Sequence, residues 1–139
     1  MVILPRLCKN MSPRLHDINA IVIHKTAVAM MDGPADAENT LQWFTDSKSN
    51  VSAHYLIDND GTIYQCVPDF MVAWHAGSSS LYGVLEVNQF SLGIELVGLD
   101  SEEITEQQME ALLELCVEKC HDHKIPLNRV VGHNHIAIP

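Results

Sequence analysis

The sequence predicts an α/β fold in which a mixed central β-sheet is flanked by helices. Two apolar runs carry this prediction. Residues 18–27, INAIVIHKTA, are nearly continuously apolar and β-rich, as in a buried strand, whereas residues 91–98, SLGIELVG, alternate as in a half-buried strand. Segments with helical spacing of apolar residues occur between and after these strands, which is typical of the α/β class. A length of 139 residues suits one domain with its own hydrophobic core.

The first helix is predicted over residues 35–46, ADAENTLQWFTD. This segment follows a Gly-Pro turn, which marks a boundary between elements. Thr40, Leu41 and Phe44 share one face at helical spacing, and this pattern indicates an amphipathic helix.

A β-hairpin is predicted over residues 51–68. The strands VSAHYLID and IYQCVP flank the turn NDGT, in which Asp60 and Gly61 are expected to supply the positive φ angles of a tight hairpin turn. Residues 68–90, rich in Gly and Ser, are expected to form an ordered loop.

The C-terminal third predicts a second helix and a last strand. Thr105 and Gln108 form a plausible capping box at the start of a helix of about four turns. Pro126 ends the helical pattern, and residues 128–139, NRVVGHNHIAIP, are expected to form a strand that runs to the end. The predicted apolar stripe of the helix consists of Met109, Leu112, Leu113, Cys116, Val117 and Cys120.

Composition excludes several classes of function. The formal net charge is −10 and the pI is near 5.0, which argues against non-specific binding to nucleic acid or to an anionic membrane. No apolar run approaches the roughly 18 residues of a membrane-spanning helix, and the apolar start MVIL is too short for a secretory leader. The sequence therefore does not decide between the bacterial cytoplasm and the periplasm as the compartment of this protein. The four cysteines form no C-x-x-C pair and are expected to be free thiols, although two disulfides remain arithmetically possible.

Two histidines stand where predicted strands end. His24 closes the first strand and His133 closes the last one, in VVGH. Ligand sites tend to form at strand ends in α/β sheets, and two imidazoles would supply two of the three protein ligands of a catalytic zinc site. The alternative is that each is a hydrogen-bonded histidine at the edge of the core.

A rival metal cluster is CVEKCHDH, residues 116–123. Soft ligands packed this closely suit zinc. However, Cys116 and Cys120 lie four apart on the predicted apolar face of a helix, and His121 projects about 100° away from Cys120. We therefore favour core cysteines and a solvated last helical turn.

Glu95 interrupts an apolar strand. Within SLGIELVG, alternation places Ser91, Gly93 and Glu95 on one face, where an ionised carboxylate is costly without a partner. That partner is either a metal ion and its water, with Glu95 as a general base, or a structural Lys or Arg.

The ordered segments IVIHKTA, VSAHYLIDNDGTIYQCVPD, AWHAG, NQFSLGIELVG and VVGHNHIA resemble the zinc-dependent N-acetylmuramoyl-L-alanine amidases, a family whose fold is shared with peptidoglycan-recognition proteins. The resemblance covers roughly residues 16–138. It implies that His24 and His133 bind zinc and that Glu95 acts in the chemistry. Some branches have a tyrosine where this chain has Ala53, so the chain is more similar to the branch of bacterial recycling and anhydromuropeptide amidases that use the glutamate.

The resemblance also implies substrate-binding residues. Trp74 and His75, in AWHAG, are expected in the substrate groove, and Asn88 is expected to fix a loop or to contact the stem peptide. The alternatives are a core aromatic for Trp74 and a turn former for Asn88. His54 is expected to be a structural histidine.

The sequence departs from the family's pattern after VVGH. The family continues into a loop that carries the third zinc ligand, Asp or Cys, and a lysine that stabilises the oxyanion. We therefore expect a single amidase-like catalytic domain, residues 1–139, whose zinc-ligand loop lies beyond Pro139. His135 is an alternative third ligand, because i and i+2 side chains share one face of a strand.

The sequence thus predicts zinc-dependent hydrolysis of the amide bond between N-acetylmuramic acid and L-alanine in peptidoglycan or its fragments. The expected partner is a peptidoglycan or muropeptide substrate, with no nucleic acid, membrane span or obligate protein partner. A first alternative is a non-catalytic peptidoglycan-binding module of the same fold. A second, serine chemistry of the penicillin-binding type, rests only on the loosely matching segments TDSK (residues 45–48) and KTA (residues 25–27).

Overall fold

The computed structural model describes residues 1–26 and 36–139 as a six-stranded sheet with one helix on each face. In chain order the elements are β1 (Ile3–Pro5), β2 (Met11–Pro13), β3 (Ala20–Lys25), α1 (Ala37–Thr45), β4 (Tyr55–Ile57), β5 (Ile63–Gln65), β6 (Met71–Ala73), β7 (Ser80–Leu81), β8 (Val84–Leu85), β9 (Ser91–Leu96), α2 (Glu106–His123) and β10 (Val130–Gly132). Short 3₁₀ turns cover Val87–Phe90, Leu127–Arg129 and His133–His135. The predicted α/β class with a mixed central sheet is confirmed.

The spatial order of the strands is β1-β5-β4-β9-β3-β10. Neighbouring strands are parallel except for the hairpin pair β4 and β5. The buried strands β9 and β3 therefore lie at the centre, as their apolar patterns predict. Their register places His24 directly beside Glu95, so two residues 71 positions apart in the chain become neighbours at the same level of the sheet.

Helix α1 begins after Asp36, whose side chain accepts a hydrogen bond from the backbone N–H of Asn39 at 2.8 Å. Thr40, Leu41 and Phe44 are buried, as predicted. Leu41 and Phe44 join an apolar cluster that includes Leu56 of β4 and Val97, the residue after β9. The Gly-Pro turn predicted before this helix lies outside the described residues.

Helix α2 covers the opposite face of the sheet. Its cluster contains Tyr55 and Ile57, which flank Leu56 in β4 and point the other way, together with the apolar side chains of β9. The capping box of Thr105 and Gln108 is confirmed, with the Thr105 hydroxyl accepting from the backbone N–H of Gln108 at 3.0 Å. The helix has 18 residues, about one turn more than predicted.

The predicted apolar stripe of α2 is wrong for three of its members. Met109, Leu113 and Val117 are 41%, 58% and 70% exposed. Leu112 is buried as predicted, and Gln108, Ala111 and Leu115, which were not part of the predicted stripe, are buried with it. The side-chain amide of Gln108 donates to the backbone carbonyl oxygens of Val97 and Ile57. The face that packs on the sheet therefore includes a polar side chain that the predicted stripe did not contain.

Asp69 ties α2 to the segment after the hairpin. Its carboxylate accepts hydrogen bonds from the Tyr55 hydroxyl, the Lys119 ammonium and the His123 ring. Although burial alone would raise the pKa of Asp69, these hydrogen bonds outweigh it and lower the pKa below its ordinary value. The His123 ring is thus bonded to Asp69 and not to Cys120. The two cysteines of α2, Cys116 and Cys120, pack against the core as partly buried thiols.

The predicted hairpin of residues 51–68 is confirmed by antiparallel β4 and β5. Only Gly61 has a positive φ, of 87°, so the expectation of a positive φ at Asp60 is wrong. The Asp60 side chain instead accepts from the backbone N–H of Thr62 at 2.9 Å, which shapes the turn without strain at this residue.

Residues 68–90 contain more regular structure than the predicted loop. β6 pairs with β2, β7 pairs with β8, and a 3₁₀ turn leads into β9. The predicted strand over residues 128–139 is also shorter, because β10 is an edge strand that pairs with only three residues of β3. No helix in the described part of the chain has the length and apolar character to cross a bilayer.

Candidate active site

A cleft of about 810 Å³ opens where the central strands end. His24 lies near the end of β3, and His133 follows directly after the neighbouring strand β10. The centroids of the two rings are 4.9 Å apart, and both residues line the cleft. The structure therefore brings together the two histidines that the sequence singled out.

The electrostatic environment keeps His24 neutral. Burial, together with repulsion from His133, lowers the pKa of His24 to about 3. A neutral imidazole has one nitrogen lone pair available, which is the form that binds a metal ion.

Glu95 faces the same cleft from the adjacent strand. Its Oε2 atom is buried and receives no hydrogen bond from residues 1–26 or 36–139. None of the ion pairs among those residues involves Glu95, so the alternative of a structural Lys or Arg partner has no support there. Burial raises the pKa of Glu95 to about 8.

His133 carries a second polar atom without a partner. Its Nδ1 atom is buried, and nothing in the described part of the chain bonds to it. Buried polar atoms are nearly always paired, and two unpaired ones beside a cleft call for an explanation. A cation and its associated water would satisfy an imidazole nitrogen and a carboxylate oxygen, so the donor set of His24, His133 and Glu95 fits a metal site.

The third ligand predicted as an alternative, His135, does not share a face with His133. Residues 133–135 form one 3₁₀ turn, in which positions i and i+2 are rotated by about 240°. The Nδ1 atom of His135 lies 3.3 Å from the backbone nitrogen of Gly132, from which it accepts a hydrogen bond. Across the ranges that the structure describes, no three His, Cys, Asp or Glu residues are grouped to hold a metal ion.

The predicted substrate-binding residues Trp74, His75 and Asn88 also line the cleft. The Trp74 indole N–H donates to the Ser12 hydroxyl at 3.1 Å, which fixes the orientation of the ring. The side-chain oxygen of Asn88 accepts from the backbone N–H groups of His75 and Ala76 at 3.1 and 2.8 Å. Asn88 thus holds the WHAG segment against β9, while contacts of Trp74 and Asn88 with a substrate stay predictions.

His75 lies beneath His24. Its Nδ1 atom is 3.0 Å from Nε2 of His24, and its Nε2 atom is 3.0 Å from the hydroxyl of Ser91. Burial, with a further contribution from His24, lowers the pKa of His75 well below its ordinary value, so the ring is neutral. The substrate contact predicted for His75 stays a prediction, but both of its ring nitrogens are engaged by protein groups.

His54 is bonded on both ring nitrogens. Nδ1 accepts from the backbone N–H of Gly93, and Nε2 lies 2.9 Å from the carbonyl oxygen of Met71. The ring is fully buried, in agreement with the structural role expected of it.

Sequence reasoning missed a small cavity of about 40 Å³ behind the cleft, beside Glu95. Trp43 lines it, and the indole N–H of Trp43 is buried without a partner among the described residues. The cavity is large enough for ordered water, which would satisfy this donor. Trp43 gave no signal in the sequence because an aromatic residue in an amphipathic helix is ordinarily a core residue.

Comparison with known proteins identifies the family. The profile of the family described as N-acetylmuramoyl-L-alanine amidase, Amidase_2, matches residues 14–139. The chain belongs to this amidase family. The resemblance inferred from the sequence motifs is therefore confirmed, and members of the family are generally zinc-dependent.

Curated proteins similar to this chain include enzymes named 1,6-anhydro-N-acetylmuramyl-L-alanine amidase AmpD. The protein from Citrobacter freundii is 42% identical over 87 residues, which cover 63% of this chain and 46% of that protein. The Haemophilus influenzae protein is 34% identical over 138 residues, covering 90% of this chain and 74% of that protein. The chain thus spans about half the length of the Citrobacter relative.

Solved structures of the family have the same architecture. A selenomethionine derivative of AmpD superposes with a TM-score of 0.84 at 30% identity, over 97% of this chain and 83% of that one. Escherichia coli AmiD, solved with the substrate anhydro-N-acetylmuramic acid-L-Ala-D-γ-Glu-L-Lys, gives a TM-score of 0.74 at 29% identity. It aligns over 86% of this chain and 49% of AmiD.

Proposed function

We propose that the protein is a zinc-dependent amidase that hydrolyses the bond between N-acetylmuramic acid and L-alanine in muropeptides. The observation that carries this proposal is a pair of buried atoms beside one cleft, Oε2 of Glu95 and Nδ1 of His133, which have no hydrogen-bond partner among the described residues and lie next to the neutral ring of His24. Family membership supports the same reaction class.

His24 and His133 would hold the zinc ion. A zinc ion in such a site lowers the pKa of a bound water to about 7 and polarises the substrate carbonyl. The two imidazoles contribute neutral donors, so the charge of the ion is not cancelled by its ligands. The third ligand would come from outside the described residues, because no third metal-binding side chain is grouped with these two among them.

Glu95 would move the proton. Its Oε2 atom accepts a proton from the attacking water and returns it to the nitrogen of the leaving L-alanyl amine. Burial raises the pKa of Glu95 to about 8, whereas positive charge in the neighbouring site would lower it. These two effects act in opposite directions on the pKa of a group that must both accept and donate a proton.

The cleft suits an extended glycopeptide. At about 810 Å³ it has the size of a site for a ligand with several groups, and Trp74 presents a flat aromatic surface at its wall. Two relatives are described as complexes with anhydromuramic peptides, AmiD and Pseudomonas aeruginosa AmpDh3. We therefore propose anhydromuropeptides as the first substrates to test.

The test measures release of the L-alanyl peptide from a purified anhydromuropeptide by chromatography and mass spectrometry. The protein is assayed with chelator, after restoration of zinc, and in a lengthened form wherever the gene continues past Pro139. We expect zinc-dependent release. Binding of the muropeptide without release by any form would favour the non-catalytic peptidoglycan-binding module.

Glu95→Gln tests the role of the carboxylate. We expect the rate of release to fall by about 10²–10⁴-fold while zinc stays bound, because the amide cannot act as a base. His121→Ala is the matched control, since this side chain is 89% exposed and lies outside the cleft. A near-full rate for Glu95→Gln would refute the role assigned to Glu95.

A further inference from the structure

We propose that His75 is a positioning residue that selects which ring nitrogen of His24 is free to bind the metal. The proposal rests on the zinc site proposed above, and it concerns a hydrogen-bonded chain of three side chains, His24, His75 and Ser91. All three are buried.

The direction of each hydrogen bond follows from Ser91, the last of the three hydrogen-bonded side chains. The Ser91 hydroxyl has one proton, which it donates to the backbone carbonyl oxygen of Val87 at 2.7 Å. Toward His75 the same oxygen can therefore only accept, and the proton must be on Nε2 of His75. The neutral ring of His75 then has its lone pair on Nδ1, where it accepts a proton from Nε2 of His24.

The consequence for His24 is a single tautomer. With its proton on Nε2, the neutral ring of His24 has its lone pair on Nδ1. The backbone carbonyl of Val87 thus determines, through two side chains, the atom that His24 offers as a ligand. Nδ1 of His133, the unpaired atom described above, would be the second ligand atom, so both histidines would bind through the same type of ring nitrogen.

Two further residues hold His75 in place. A Cβ atom added at Gly93 would come within 2.4 Å of Cγ of His75, so only glycine leaves room for the imidazole above β9. Asn88 fixes the backbone of His75 through the hydrogen bonds already described. Asn88, Ser91 and Gly93 belong to one stretch of six residues, and each acts on a different part of His75.

The proposed role has a measurable size. Residues that orient a metal ligand through its second nitrogen typically change metal affinity by about 10–100-fold when they are replaced. His75→Leu removes the acceptor for His24. Asparagine has nearly the same shape as leucine, but His75→Asn keeps an oxygen near the position of Nδ1. We expect His75→Leu to weaken zinc binding by about 10–100-fold and His75→Asn to recover most of that loss.

The first experiment reads the tautomers directly. The metal-free, ¹⁵N-histidine-labelled protein is studied by two-bond ¹H–¹⁵N correlation NMR, with assignments from the His24 and His75 variants. We expect both rings to be neutral and protonated on Nε2, and Ser91→Ala to abolish the preference of His75 for this form. A proton on Nδ1 of His24 in the unmodified protein would overturn the proposal.

The second experiment is calorimetric titration of zinc into the unmodified protein and the two His75 variants. Recovery of affinity by His75→Asn alone supports the positioning role, whereas equal affinities for Asn and Leu overturn it. If the unmodified protein has the predicted tautomers but binds no zinc, the proposed zinc site fails while the hydrogen-bonded chain stands. The two failures are therefore distinguishable.

Discussion

Glu95→Gln is expected to stabilise the metal-free protein, although it removes the proposed catalytic base. Burial raises the pKa of Glu95 from its ordinary value of 4.5 to about 8. Between these two values the unfolded chain has already lost the proton that the folded protein retains. The free energy of unfolding of the unmodified protein therefore falls as the pH rises through this window. Glutamine does not ionise, so the free energy of unfolding of the variant does not fall for this reason.

The magnitude follows from the same two pKa values. Each unit of difference corresponds to ~1.4 kcal/mol, which sets an upper limit on the order of 5 kcal/mol for the whole window. Water that reaches the carboxyl from the cleft reduces this figure, and we expect the variant to be more stable by about 2–4 kcal/mol at pH 8. At pH 4.5 the neutral acid and the amide are nearly isosteric, and the two proteins should be equally stable.

The assay is urea unfolding in the presence of a chelator at pH 4.5, 6 and 8. Other titrating groups are common to both proteins and cancel in the difference between them. Glu103→Gln, at an exposed position, is the control for the same change of residue type. A constant difference for Glu95→Gln, or one that decreases with pH, would show that the folded protein already stabilises the ionised carboxylate, and the reasoning above would be refuted.

Three further substitutions test other contacts by urea unfolding. Gly93→Ala should lower the free energy of unfolding by about 1–3 kcal/mol and displace His75, because the added methyl group has no room. A decrease below about 0.5 kcal/mol, the size of an ordinary surface substitution, would refute this. Gln108→Leu should cost about 1–3 kcal/mol because the Val97 carbonyl oxygen loses the hydrogen bond from Gln108, whereas the Ile57 carbonyl oxygen still accepts from the backbone N–H of Val97; equal costs for the exposed control Gln107→Leu would contradict it. Asp69→Asn should destabilise the protein at pH 7 and progressively less toward acid pH, because the stabilisation from a lowered carboxyl pKa is lost as that group becomes protonated; a pH-independent cost would count against the ionic hydrogen bonds.

The sheet could be predicted from sequence because its two central strands carry unambiguous patterns. β3 is apolar on both faces and β9 alternates, and both lie in the middle of the sheet. The capping box was equally readable, since its two partners are three residues apart and need no tertiary context. The pairing of His24 with Glu95 was not readable, because register depends on how the whole sheet assembles.

The face of α2 shows where periodicity fails. Met109, Leu113 and Val117 have the spacing of a core stripe but lie outside the core, because the face that packs on the sheet carries Gln108, Ala111, Leu112 and Leu115. A buried glutamine that bonds to backbone carbonyls has no signature in a hydrophobicity pattern. The last strand was also overpredicted, since the chain leaves the sheet after Gly132 and forms a 3₁₀ turn at His133–His135.

The polar face of β9 links the sequence pattern to the chemistry. Alternation places Ser91, Gly93 and Glu95 on one face, and each has a distinct role in the structure. Ser91 bonds to His75, Gly93 makes room for it, and Glu95 faces the cleft. The opposite face packs under α2. Because Ser91 and Gly93 both act on His75, a change at either residue should act on the metal ligand rather than on Glu95. Zinc affinity and proton transfer should therefore respond separately to mutation, and this separation distinguishes a built active site from three polar residues that share a face by chance.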